Sequence, residues 1–301
     1  MPLGSTSANG ERISPYSRRL HLGDGLRRLR QEPTDRSIAE IARAVGIDRT
    51  LLNRIENGQR RVPADQTMKI VEHLGVEQHS TQWQEYYALA RDATVSGWWE
   101  NKAFKGLSPR QALPADLEAG ASRIRWYDFN LIPGLLQSPA YLRARHDPSI
   151  TGDSADNPVE IRCRERRQQE AFAPGGPRIE VIVEETAIRR LMVPRPAMLE
   201  QLEYLLKLID DDGPVEFRVL PVGGELLKLR APRSPWQLYD FVVNDPPLAI
   251  VESLTEDVLL REHKEVANHD RLWQGLHRLA LPPGESRKMI AGQAEILAKE
   301  Q

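Results

Sequence analysis

Ile41-Ala42-Arg43-Ala44-Val45-Gly46-Ile47-Asp48-Arg49-Thr50-Leu51-Leu52-Asn53-Arg54-Ile55-Glu56-Asn57-Gly58 decides how the front of this chain folds. With Ile38 just ahead, the apolar residues Ile38, Ile41, Ala42 and Val45 recur at helical spacing, the pattern breaks at Gly46, and Leu51, Leu52 and Ile55 resume it. Two short helices joined by a tight turn are expected. Gly46 suits the left-handed backbone that ends a helix, and Asp48 is placed to cap the next one. Ser37, with Glu40 three residues on, has capping-box spacing. Asn57-Gly58 supplies turn chemistry at the far end. Working outward, Leu22, Leu26 and Leu29 mark an earlier helix, and Pro63 and Asp65 open a later one carrying Met68, Ile70, Val71 and Leu74. Residues 82–92 read as a further helix.

Helix, short Gly-containing turn and helix form a unit that reads DNA in many proteins. The early residues of its second helix meet base edges in the major groove. In this chain those residues are Arg49, Thr50, Asn53 and Arg54. Arginine pairs bidentately with guanine, and asparagine with adenine. Ser37, Asn57, Arg60 and Arg61 are placed for phosphates. The charge distribution agrees: residues 18–61 hold eleven arginines against six acids, while the whole chain has a formal net charge of -2. A basic front and an acidic remainder suit a nucleic-acid-binding head on a soluble body. A plain helical bundle with a solvated polar face has the same periodicity, and on periodicity alone both readings stand.

The run 41–58 resembles the xenobiotic-response-element (Xre, lambda-repressor-like) family, and the likeness extends over about residues 20–76. Arg54-Ile55-Glu56-Asn57-Gly58 is its most specific part. The resemblance implies double-stranded DNA as partner, bound by a homodimer on half-sites about one helical turn apart. Many members of that family begin the second helix with a glutamine that contacts a phosphate. Ile38 stands there in this chain, so that contact is not expected.

The domain boundary is expected near Thr94. Residues 1–15, rich in Ser, Gly, Asn and Pro, read as a disordered tail. Residues 16–93 form the helical head, and 94–301 a mixed domain. Strands are expected at 123–129, 179–184, 215–220, 236–243 and 248–251. Helices are expected at 139–146, 159–172, 196–209, 257–279 and 286–298, with 106–114 and 131–137 as turns and 147–158 as a loop. The fold class is therefore an all-α head followed by a mixed α/β (α+β) domain. Ile132-Pro133-Gly134-Leu135-Leu136-Gln137-Ser138, then Tyr141, Arg162, Arg166, Arg167 and Gln168, then Glu184-Glu185-Thr186-Ala187, Met198, Gln201-Leu202, Val219-Leu220-Pro221 and Ser286 follow in order. Together they look like the antitoxin-like domain of actinobacterial WhiJ-like regulators. That resemblance implies a small protein partner encoded nearby.

Enzymatic signatures are missing. There is no Walker phosphate loop, nucleophile elbow, His-Glu-x-x-His or dinucleotide fingerprint. Cys163 is the only cysteine, which excludes an intrachain disulfide and a cysteine-built zinc site. His263 and His269, six apart, do not share a helical face. No cofactor, metal or catalytic residue is expected. No run approaches the ~20 apolar residues of a spanning helix, and no secretion signal opens the chain, so a cytoplasmic, non-membrane protein is expected. Trp126, with Trp98, Trp99 and Trp236, suits a ligand pocket or plain core. Pro133, Gly134 and Gln137 suit an interaction loop or a buried corner. Arg162 and Arg166 suit an anion or partner contact, or a charged face pairing with the domain's own acids. Two roles for the second domain stay open: receiving a protein partner, or holding a small-molecule effector as a one-component sensor.

Overall fold

Four of the five helices of the head start on a residue whose side chain satisfies a loose backbone donor. In the computed structural model, which describes residues 5–32, 35–145, 158–209, 213–224, 229 and 231–299, α1 spans Pro15–Gln31 and begins on Ser14, whose Oγ accepts the Ser17 N–H at 2.9 Å. The capping box of Ser37 and Glu40 opens α2 (Ile38–Val45), which ends on Gly46 at φ 72°. Asp48 caps α3 (Arg49–Glu56), accepting the Thr50 N–H at 2.6 Å. After α4 (Ala64–His73), Ser80 caps α5 (Thr81–Asp92). Leu22, Leu26, Ile41, Leu52, Ile55 and Val71 close on one buried core. α1 approaches the end of α3 at backbone distance: a Cβ on Gly23 would lie 2.5 Å from the Glu56 carbonyl oxygen.

Glu56 holds that approach. Its carboxylate accepts Arg30 Nε at 2.7 Å and Nη2 at 2.9 Å, and both residues are buried. Arg27 Nη2 donates to the Glu56 carbonyl and to Asn57 Oδ1, each at 2.9 Å.

The chain divides into two units, each drawing on more than one stretch of sequence. Unit one holds Met1–Lys102, Ala112–Ala121 and Phe241–Pro246; unit two holds the rest. Residues 5–14, expected to lack structure, include a bridge between Thr6 and Arg12 and a fully buried Ile13. The reason lies a hundred residues downstream. Buried Asp116 accepts Ser14 Oγ at 2.6 Å and the Tyr16 N–H at 3.0 Å, and Arg12 donates to the Glu118 and Ala119 carbonyls at 2.8 and 3.0 Å. Arg18 and His21 both reach Asp245, at 2.7 and 2.8 Å.

Unit two is built on a six-stranded sheet. Its strands are β1 (Ala121–Asp128), β2 (Arg178–Glu184), β3 (Val215–Leu220), β4 (Trp236–Phe241), β5 (Leu248–Val251) and β6 (Val258–Leu260), in the order β3-β2-β1-β4-β5-β6. β1, β2 and β3 run parallel, with Asp128 opposite Val183 and Glu184 opposite Leu220. β4, β5 and β6 are antiparallel neighbours. The helices are α6 (Pro109–Gly120), α7 (Pro139–Arg145), α8 (Pro158–Ala171), α9 (Glu185–Arg189), α10 (Arg195–Leu208), α11 (His263–Leu279) and α12 (Pro283–Lys299). Apolar residues on one sheet face, including Tyr127, Ile182, Trp236 and Leu238, pack with Val266, Trp273 and Leu276 of α11. The β3 edge is covered at Val219, whose N–H donates to Ser286 Oγ and whose carbonyl accepts the Leu281 N–H.

The helical head followed by a mixed α/β region agrees with the class expected from the sequence. Two elements differ. α6 occupies the expected turn at 106–114 and continues to Gly120, with Pro109 at its start and Pro114 inside it. The expected helix 257–279 is β6 followed by α11, because a three-residue apolar run has no period of its own. The expected loop at 147–158 lies outside the described residues except for Pro158.

Removing one member of a buried ion pair strands the other charge and costs about 3–5 kcal/mol. Glu56→Ala is therefore expected to lower the opening free energy of the amides in α1 and α3 by that order, read by hydrogen exchange. Arg30→Met with Glu56→Leu is expected to recover much of the loss.

Candidate nucleic-acid interface

α3 turns Leu52, Ile55 and Glu56 into the core, which leaves Arg49, Thr50, Asn53 and Arg54 exposed on one side of the helix. Residues one turn apart share a face, so Arg49 lies beside Asn53 and Thr50 beside Arg54. Arg43 on α2 and Arg60 just past α3 are exposed as well. The side chains of Arg43, Arg49, Arg54 and Arg60 make no hydrogen bond or ion pair with a described residue. Arg43 was not singled out in the sequence. Its signal was a charge at a non-core position of an otherwise apolar helix.

Most of the other arginines of the head hold it together; Arg28 on α1 is exposed as well. Besides Arg27 and Arg30, Arg18 reaches Asp92 at 3.3 Å and Asp245 at 2.7 Å, Arg19 donates to the Gly58 carbonyl at 3.3 Å, and Arg36 to the Leu74 carbonyl at 3.3 Å. Burial pushes the Asp92 carboxyl above its ordinary range against the opposing pull of Arg18.

Three residues expected at phosphates have internal partners. Arg61 forms a two-pronged ion pair with Glu100. The Ser37 N–H and Oγ–H both donate to Glu40 Oε2, at 2.7 and 2.8 Å. Asn57 Nδ2 donates to the Asn53 carbonyl at 2.8 Å, and its Oδ1 accepts from Arg27. The Glu40 carboxyl is held below its ordinary range by the Ser37 N–H and hydroxyl, so a negative charge sits at the start of α2. Asp48 is likewise lowered by the Thr50 hydroxyl and N–H at the start of α3. Ile38, where the glutamine of the resembled family would stand, packs against the core.

The residues singled out in the second domain do not converge on an open site. Pro133, Gly134 and Gln137 lie in a buried corner around the 3-10 turn Gly134–Leu136. Glutamine side chains satisfy its backbone. Gln137 Nε2 donates to the Ile132 carbonyl at 2.7 Å, Gln168 Nε2 to the carbonyls of Leu135 and Gln137 at 3.0 and 2.8 Å, and Gln201 Nε2 to the Leu136 carbonyl at 2.8 Å. Trp126 is buried on β1. Arg166 pairs with Glu170 at 2.9 Å, and Arg162 donates to the Ala103 carbonyl at 3.2 Å. At the entry to the corner, buried Asp128 accepts the N–H groups of Asn130 and Leu131 at 2.9 and 3.0 Å. Burial nevertheless pushes its carboxyl up to about 6, and Glu252 adds to the rise.

Among the described residues no group of three or more His, Cys, Asp or Glu is placed to hold a metal, and no helix is long and apolar enough to cross a membrane.

Two capped helices, a left-handed glycine between them and an open polar face on the second define a helix-turn-helix unit. A family model described as a helix-turn-helix domain matches residues 21–83. A second, described as a domain of unknown function (DUF5753), matches residues 111–292, and the chain belongs to that family. Over 58 residues the chain is 38% identical to control protein C.MunI of Mycoplasma sp, a stretch covering 19% of this chain and 78% of that protein. No solved structure matches the chain.

A carboxyl that ionises near 6 when folded and near 3.8 when unfolded holds its proton more tightly in the folded chain. Its stabilising effect is then full below about pH 4 and falls as pH rises toward 6. Asp128→Asn keeps an acceptor for the two N–H groups and removes the ionisation. The variant is expected to exceed the parent by about 1–3 kcal/mol at pH 7.5 and to match it near pH 4. Guanidinium unfolding at the two pH values measures the difference.

Proposed function

We propose that this chain is a sequence-specific, DNA-binding transcriptional regulator, with Arg49, Thr50, Asn53 and Arg54 at base edges and Arg43 and Arg60 at phosphates. One observation carries the reading. The head ties most of its arginines to its own acids and carbonyls, yet Arg43, Arg49, Arg54 and Arg60 stay exposed, with no hydrogen bond or ion pair to a described residue, around one short helix. Guanidinium groups in that condition suit phosphate and guanine, which offer the paired acceptors that the protein withholds. Arg61 is assigned to Glu100 rather than to DNA, and Ser37 and Asn57 to capping. The likeness to a control protein supports the regulatory half of the reading.

The DUF5753 region is assigned the protein-facing role: a small, antitoxin-like protein partner, or a second copy of this chain that pairs two heads on a twofold operator. Its likeness to WhiJ-like regulators supports this, as do the exposed apolar side chains Leu191, Met192 and Val222. A cytoplasmic place belongs to the same proposal. An effector-binding role is the alternative, favoured by the cavity described below.

Fluorescence anisotropy with DNA from upstream of the chain's own gene, and scrambled DNA as control, tests the reading. Arg49→Ala with Asn53→Ala is expected to cost about 1–3 kcal/mol per lost bidentate contact on the upstream DNA and little on the control. Arg60→Ala is expected to weaken both alike and to reduce the salt slope by about one. Equal, mutation-insensitive binding to both DNAs would sink the assignment of α3.

A further inference from the structure

Unit two holds a cavity of about 530 Å³, within the usual range for small-molecule sites. Trp236 at the start of β4, Val251 at the end of β5 and Leu272 on α11 give it an apolar side. Leu229 closes one part of the wall. It packs into a notch on α11 at Gly275, where a Cβ would lie 2.4 Å from Leu229 Cδ1.

Trp236 is fixed from several directions. Its ring stacks on Tyr127 at 5.9 Å and meets Trp273 and His269 edge-on at 6.0 and 5.5 Å. The residue is 2% exposed, and its indole Nε1–H has no acceptor among the described residues. A buried donor left unmade costs about 1–3 kcal/mol, so an acceptor from outside the chain would be bound with advantage. The lining also carries two exposed arginines. Arg233 makes no hydrogen bond or ion pair with a described residue, and Arg271 has the Asn268 side chain as its partner. Among the described residues, no carboxylate side chain lines the cavity.

We propose that this cavity binds a small, flat, apolar carboxylate, its acid held by Arg233 and Arg271 and its body lying against Trp236 and Leu272, with a further acceptor taken by the indole N–H. The arrangement selects on three counts. Positive charge without a competing acid favours an anion, the apolar side favours a hydrocarbon or aromatic body, and the fixed indole rewards an acceptor at the rim of that body. As a binding site the cavity stands whether or not the head reads DNA; as an effector site it rests on the regulatory reading.

Titration calorimetry of the full chain with 2-naphthoate, and with the neutral 2-naphthamide, tests it without DNA. The acid is expected to bind saturably at one site, at least ~tenfold more tightly than the amide. Arg233→Gln and Arg271→Gln, both at exposed positions, are each expected to weaken the acid by about fivefold or more and to narrow its preference over the amide. Trp236→Phe keeps an aromatic ring and is expected to cost about fivefold for both probes. Absence of saturable binding, equal affinity for acid and amide, or indifference to both arginine variants would overturn the proposal. Indifference to Trp236→Phe alone would remove the indole from it.

Discussion

A single buried carboxylate organises the head of this protein. Taking Glu56 out of water costs several kcal/mol, and only a close, bidentate cation can offset that. Arg30 supplies the fork, and Arg27 ties down the neighbouring carbonyl and the Asn57 amide. Gly23 lets the two helices come close enough for the fork to reach. The rotation of α3 about its own axis is thereby set from behind. Its front residues are relieved of structural duty, and an open polar face is possible on a helix of only eight residues.

The same economy separates the arginines into two populations. Most of those on α1 face carbonyls and acids of the same unit, whereas Arg43 on α2, Arg49 and Arg54 on α3 and Arg60 after it face solvent. Composition alone sees a surplus of positive charge; geometry decides where the surplus can act. Unit two solves a different problem with neutral groups. The corner after β1 has several buried carbonyls and no strand or helix to pair them, and amide side chains from Gln137, Gln168 and Gln201 do so without introducing charge. Glutamine suits the task because one side chain both donates and accepts.

Much of the fold was legible because its signals are local. The capping box at Ser37 and Glu40, the left-handed Gly46 and the Asp48 cap all act within a few residues, and each appears in the structure where the spacing put it. Two strands, β3 and β5, match their expected bounds. What was illegible is long-range. Glu56 stood only as part of the run 54–58 that carries the family resemblance, and nothing in its spacing from Arg30 announced an ion pair. The 106–114 stretch looked like turns because its prolines were read as breakers, yet one of them starts a helix, where a missing N–H costs little. Arg61 looked like a neighbour of Arg60 with the same task, but Glu100, far along the chain, engages it. Open positions such as Arg49 and Arg54 could be read from helix periodicity. Whether a polar residue already has a partner could not.

That the first unit draws on distant stretches of sequence has a consequence in time. Arg18 and His21 lie near the start of the chain, and their shared partner Asp245 lies 227 residues beyond Arg18. At the usual pace of synthesis, about 5–20 residues per second, roughly ten to forty seconds separate the making of the cation from that of its carboxylate. The five front helices can gather their core early, but α1 carries incomplete pairing until most of the chain exists. The first unit thus completes its own pairing only when a stretch from far along the chain has been made.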